Sequence, residues 1–302
     1  MFRYFSRKAK VEEKKVRIYK GNKELKAKNS VYKMLGINDV DEFYSEKFAL
    51  AHTPNILEYD PASKFDIAYF KQYWIYNNVT EGSRVLDVGC GSGTLNLLKS
   101  KNVYLAGTDL SNKALEQALL AGYDEVVMCD SFDTPFSDKS FDFIVSLDVL
   151  GHIENEIKDG YLQEWMRLLK DDGIMLHGIE CGDMDYSRMD EKAREYVLID
   201  GHVGMESFDK VESRFRKIFA EVVAENFVGP CYNWYDIKKY GLTEDRIGKE
   251  FRDFLMTFNH DQVRGFNAAM LLMRNLLLKD DILGTSGGFM FIRASGKKSQ
   301  SD

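Results

Sequence analysis

The chain has 302 residues, 44% of them hydrophobic, with 48 acidic against 41 basic side chains and a net charge of −7. That length and apolar fraction suit one large domain, or a domain with a cap. The acidic balance argues against a nucleic-acid groove, so no nucleic-acid partner is expected.

The bases are unevenly placed: residues 1–28 hold eleven Lys and Arg. Residues 1–30 read as a solvated, partly flexible arm, because the stretch lacks the apolar face of a membrane-surface helix. Residues 31–80 read as a mostly helical lid. It ends in the dense aromatic stretch Tyr69-Phe70-Lys71-Gln72-Tyr73-Trp74-Ile75-Tyr76.

A change of texture follows. Arg84-Val85-Leu86-Asp87-Val88 is an apolar run ending in an acid, and it breaks at once into Gly89-Cys90-Gly91-Ser92-Gly93. Thr94 to Lys99 reads as the start of a helix. A strand that turns through G-x-G-x-G into a helix lets the backbone bend tightly and lets a ligand approach with no Cβ in the way. Helix N-terminal amides suit a carboxylate or phosphate. Val103–Asp109 is a second apolar run ending in an acid, and Asp109 lies 22 residues after Asp87. An acid at about that distance is placed to grip a ribose diol. Ser111 is available to cap a helix from Asn112 to Ala121, with Gly122 closing it. Glu125–Cys129 is a third strand, Phe141–Leu147 a fourth and Gly173–Ile179 a fifth, the last after a helix near Tyr161–Leu169. Strands alternating with helices imply a parallel sheet. Phe208–Phe219 reads as a helix with Ser207 as its cap. Glu221–Val228 and Gly288–Ser295 read as further strands.

The glycine turn resembles motif I of the class I, Rossmann-like, S-adenosylmethionine-dependent methyltransferases. Dinucleotide binders share the first two glycines but need a third small residue where this chain has Thr94. The resemblance covers Arg84–Glu180 and implies a seven-stranded, mostly parallel, doubly wound α/β sheet with a helical cap. It places the last strand antiparallel between the fifth and sixth. The core would then be 81–228 plus 287–296. Residues 229–286 would be an inserted helical cap over the carboxyl edge of the sheet, serving as a lid or as the arm of a homodimer. The outer segments loosely resemble methyltransferases of glycan and natural-product clusters.

On this resemblance S-adenosyl-L-methionine is the cofactor and S-adenosyl-L-homocysteine the product. Asp87, Gly89, Cys90, Gly91, Gly93, Asp109, Leu110, Asp130, Ser131, Phe132 and Leu147 are the expected cofactor-binding residues, Asp87 toward the amino group. His152 is the first candidate for a general base, since it follows the fourth strand by five residues. Many small-molecule members have Glu-His-Ile there; this chain has Gly151-His152-Ile153. Each is also readable as a histidine that shapes a loop. His202 and His260 are the second and third. Tyr69, Tyr232 and Trp234 are candidates to contact a small-molecule acceptor, and Lys64 to face the cofactor. Cys90, Cys129, Cys181 and Cys231 form no C-x-x-C, so no metal ligands are assigned, and a reducing cytoplasm is expected. No apolar run reaches the roughly 18 residues of a transmembrane helix, and no h-region with a cleavage site opens the chain. Methyl transfer to an oxygen of a small polar metabolite or sugar is the expected activity. The alternatives are a protein side chain or RNA as acceptor, and a cofactor-binding subunit without catalysis.

Overall fold

The computed structural model describes residues 15–21, 31–37, 39, 42–44, 46, 67–182, 186, 191–227, 250, 253–254, 257–259, 262, 265 and 288–298. Its centre is a sheet whose strands are β1 (Arg17–Ile18), β2 (Arg84–Val88), β3 (Tyr104–Asp109), β4 (Glu125–Met128), β5 (Phe141–Leu147), β6 (Leu169–Cys181), β7 (Phe219–Phe227) and β8 (Gly288–Lys297). Their spatial order is β1-β4-β3-β2-β5-β6-β8-β7. Strands β1 to β6 pair in parallel, and β8 runs antiparallel to both β6 and β7.

The expected seven strands are present, and an eighth is added. The extra strand is β1, inside the basic arm, where Arg17 and Ile18 pair with Val127 and Met128. Two residues are too short for any alternating pattern to show. What holds them is the open edge of β4, with Tyr19 N–H donating to the Met128 carbonyl at 2.9 Å.

Strand β2 explains why the central runs are mostly apolar without alternation. Leu86 and Val88 pack on one face with Ile144, Trp165, Leu168 and Phe215. Val85 packs on the other with Ile75, Leu105, Leu115, Ala118 and Tyr123. Successive side chains of a strand point to opposite faces, and a parallel sheet covered by helices buries both. The first face is covered by α4 (Lys158–Leu168) and α6 (Phe208–Ile218), the second by α2 (Ile67–Asn78) and α3 (Asn112–Leu120). Completely burying one such side chain, Phe215 for example, contributes about 1.5–3 kcal/mol. Two further helices, α1 (Val31–Met34) and α5 (Glu191–Asp200), lie outside these layers in sequence.

Local signals are met unevenly. Ser111 caps α3, its Oγ accepting from Ala114 N–H at 3.3 Å. Ser207 stands at the N-cap of α6 but its side chain makes no capping bond. The segment after the glycine turn is a 3-10 helix, Asn96–Lys101, not an α-helix. Its amides reach back three residues (Asn96 to Gly93, Leu98 to Leu95, Asn102 to Lys99), and Asn102 ends it with φ +54°. The expected cap, 229–286, lies almost wholly outside the described residues.

Candidate functional site

A cavity of about 470 Å³ opens at the carboxyl ends of β2, β3, β4 and β5. Open α/β sheets bind ligands at this edge. Three successive strands deliver an acid to it: Asp87 inside β2, Asp109 at the end of β3, and Asp130 just past β4.

The glycine turn forms one wall. Gly89, Gly91 and Gly93 have φ of +66°, +52° and +92°, a region that side chains with a Cβ rarely adopt. Gly93 also has no room for one, since a Cβ there would lie 2.9 Å from the Ala118 backbone. It lets α3 pack close and does not itself line the cavity. Gly89, Cys90 and Gly91 do line it, as do Ser92 and Thr94.

Asp109 holds this wall in shape. Its Oδ2 accepts from Gly91 N–H and its Oδ1 from Ser111 N–H, both at 2.9 Å. One carboxylate thereby ties the turn to the start of α3 while keeping lone pairs toward the cavity. Burial pushes its carboxyl above the usual range, and the amides of Ser111, Gly91 and Leu110 pull it back. Asp87 is buried and accepts from Tyr123 Oη–H at 2.7 Å. Burial raises its pKa to about 7, with the Tyr123 bond lowering it and the nearby Asp109 raising it.

Asp130 accepts from Phe132 N–H and from Tyr161 Oη–H, each at 3.0 Å. Leu110, Ser131 and Leu147 line the cavity with it. Phe132 does not; its ring packs on Tyr161, 5.3 Å between centroids. Cys90 is buried beside Gly107, where a Cβ would lie 2.5 Å from its Sγ.

His152 lines the cavity from a 3-10 turn, Leu150–His152. Its Nδ1–H donates to the Gly201 carbonyl at 2.9 Å, which leaves Nε2 as the lone-pair nitrogen of the neutral ring. The His202 ring stacks on it, 4.6 Å between centroids and 20° between planes. His202 Nε2 in turn donates to Glu180 near the end of β6. Burial would raise the Glu180 carboxyl, but the His202 bond and charge hold it down at about 2. So two of the three candidate histidines come together. His260, Lys64, Tyr232 and Trp234 lie outside the described residues, as does the side chain of Tyr69.

Residues that the sequence did not single out complete the cavity. Lys71 and Gln72 enter it from α2. The Lys71 ammonium contacts both carboxylate oxygens of Asp148 at 2.6 Å and lies 4.2 Å above the Phe289 ring. Asp148 has φ +60°, a strained conformation for a residue with a side chain. Tyr32 and Tyr44 approach from the N-terminal segment. Tyr32 Oη–H donates to the His152 carbonyl at 2.6 Å and Tyr44 Oη–H to that of Gly201 at 2.7 Å. The signal that could have found Asp148 is its position directly after β5; nothing local points to the tyrosines.

A family model described as a methyltransferase domain matches residues 86–177. Among curated relatives, the chain is 33% identical to a putative methyltransferase of Encephalitozoon cuniculi over 125 residues, 39% of this chain and 58% of that one. It is 34% identical to a probable tRNA methyltransferase 9B of Mus musculus over 96 residues, 32% of this chain and 21% of that one. In both cases the chain covers less than two thirds of the relative's length. Among solved structures, Haemonchus contortus phosphoethanolamine N-methyltransferase 2 in complex with S-adenosyl-L-methionine has the same fold. Its TM-score is 0.52 at 20% identity, covering 89% of this chain and 60% of that one. Residues 86–177 are therefore similar to a methyltransferase domain, and the chain shares the fold of a methyltransferase solved with S-adenosyl-L-methionine.

Proposed function

We propose that this protein transfers a methyl group from S-adenosyl-L-methionine to an oxygen of a small polar acceptor, a metabolite or sugar. The observation that carries the reading is the row of acids on β2, β3 and just past β4 lining a glycine-walled cavity, with the His152 imidazole among the same lining residues. The donor set fits the cofactor: Asp87 for an amino group, Asp109 for a ribose diol, Asp130 and Ser131 for the adenine edge. When bound, the cofactor supplies an electrophilic methyl on a sulfonium.

The residues of this chain then have to align the acceptor and handle its proton. Alignment supplies much of such a rate effect. His152 reaches the cavity with Nε2 as an acceptor, which suits it to take the proton of a hydroxyl; a positioned base contributes about 10²–10⁴-fold. The cavity volume, about 470 Å³, lies within the roughly 300–1,000 Å³ usual for small-molecule sites. Asp148 favours a second reading, an amine acceptor, since its carboxylate, paired with Lys71, lines the cavity together with Tyr32 and Tyr44.

Calorimetry with S-adenosyl-L-methionine and with NAD tests the cofactor. Binding of NAD without S-adenosyl-L-methionine overturns the reading. Release of S-adenosyl-L-homocysteine is then measured with hydroxylated metabolites and sugars, with primary amines, with protein and with tRNA. Turnover with the first group only supports the oxygen acceptor. Turnover on tRNA removes the expectation of no nucleic-acid partner. Cofactor binding with no turnover on any class supports a non-catalytic subunit.

A further inference from the structure

The fold brings together three side chains from separate stretches of sequence: His152 after β5, Glu180 near the end of β6, and His202 after α5. Each offers one ligand atom, and these lie within 4.8 Å of one another. Zinc holds nitrogen and carboxylate ligands at about 2.0–2.2 Å, so bound ligand atoms sit about 3–3.5 Å apart, and small side-chain rotations close the difference.

The cluster is built rather than incidental. Metal-ligating histidines usually donate their second ring N–H to a carbonyl or carboxylate, which fixes the tautomer. His152 does so to the Gly201 carbonyl. Tyr44 Oη–H donates to the same carbonyl, and Tyr32 Oη–H donates to the carbonyl of His152 itself. Gly201 adopts φ +75°, and a Cβ on it would lie 3.3 Å from His152 Nδ1. A Cβ at Gly151 would lie 3.2 Å from the His202 ring and 3.9 Å from Glu180 Cβ. The missing Cβ at Gly151 therefore leaves room for His202 against His152.

We propose that His152, Glu180 and His202 bind a divalent transition-metal ion, with open coordination positions toward the cofactor cavity. Two imidazoles and one carboxylate suit Zn²⁺, Fe²⁺ or Mn²⁺, and three protein ligands leave a catalytic ion free to take another group. Entry of the ion displaces the proton that His202 shares with Glu180. The binding itself needs no assumption about the reaction. The role given to the ion rests on the methyltransferase reading. An acceptor hydroxyl occupying an open position becomes more acidic and releases its proton to solvent. The resulting alkoxide oxygen forms the new bond to the methyl carbon as the carbon–sulfur bond breaks, and that electron pair stays on sulfur. His152 Nε2 is then a ligand, not a base, so the same experiment decides between the two roles.

The test uses the full chain, stripped with a chelator, dialysed and titrated with Zn²⁺ alone by calorimetry, with Mn²⁺ in parallel. One Zn²⁺ per chain is expected, bound tightly enough to compete with a chelator of about micromolar affinity. His152→Ala, His202→Ala and Glu180→Gln should each weaken Zn²⁺ at least about 100-fold, since losing a ligand exceeds the 10–100-fold cost of losing its supporting partner. Circular dichroism reports that each variant is folded. Affinity for S-adenosyl-L-methionine, titrated on the same samples, should stay within about threefold in His202→Ala and Glu180→Gln, since His202 and Glu180, unlike His152, are not among the residues lining the cavity. Glu180→Gln keeps the shape of the side chain and secures the test if a histidine variant misfolds. Less than a fifth of an equivalent of Zn²⁺ on the wild-type chain, or equal affinity in wild type and Glu180→Gln, overturns the proposal. Zn²⁺ binding without S-adenosyl-L-methionine binding would leave the metal site standing and remove the methyltransferase reading.

Discussion

Asp109→Ala tests the cofactor site at its most connected point. The carboxylate should accept two hydrogen bonds from a ribose diol, each charge-assisted and worth about 1.5–3 kcal/mol. Their loss is therefore about 3–6 kcal/mol, or 10²–10⁴-fold in affinity at 1.4 kcal/mol per decade. The geometry adds a second cost. Gly91 N–H and Ser111 N–H both lose their acceptor, so the glycine turn is no longer tied to α3. Asp109→Asn separates the two effects. Its one remaining oxygen can serve either amide, while its NH₂ faces the other donor, so affinity should fall between wild type and alanine. Calorimetry with S-adenosyl-L-methionine measures the loss, and circular dichroism and Tm confirm that the sheet survives. A Kd within threefold of wild type in folded Asp109→Ala would refute the placement of the ribose.

Two more expectations concern protons. If Asp87 meets the amino group of the cofactor, its pKa of about 7 makes affinity rise with pH between about 6 and 8 as the carboxyl ionises; flat calorimetric affinity across that range removes Asp87 from the site. His177 is fully buried, with Ser146 Oγ 2.7 Å from Nδ1 and no partner for Nε2 among the described residues. Burial pushes its pKa down to about 3, against about 6.5 in an unfolded chain. A depressed folded pKa gives stability that is complete above pH 6.5 and lost as pH falls toward 3. At pH 4.5 the loss is about 3 kcal/mol. Urea melts of His177→Gln should lose that part of the acid sensitivity; an unchanged pH 7.5-to-4.5 difference would show that other groups carry it.

How much was legible in the chain follows from what holds each part in place. Strands β2 to β5 are buried on both faces, so their inner positions are mostly apolar without alternation and their ends are sharp. Asp109 was findable because a strand–helix–strand unit has a nearly fixed length. Tyr32 and Tyr44 were not, because what places Tyr32 is its packing with Val31 against Val203, far away in sequence. The α2 side chains that reach the cavity, Lys71 and Gln72, were missed for another reason. Ile67–Asn78 is apolar or aromatic almost all round, so no stripe marks the face that turns to the ligand. Glu180 and His202 become neighbours of His152 only when β6 and the segment after α5 are folded, and no spacing rule joins them.

The antiparallel β8 has a consequence for how the protein is made. It lies between β6 and β7, yet a ribosome delivers it after both. Until residues 288–297 emerge, β6 lacks one neighbour and β7 has none among the described strands, and the buried side chains of Phe289, Met290, Phe291 and Ile292 are missing from the interior. Completing the sheet requires joining segments more than a hundred residues apart, which slows folding and exposes strand edges meanwhile. A nascent chain stalled just before Gly288 should bind chaperones strongly, while the same chain released with β8 in place should not.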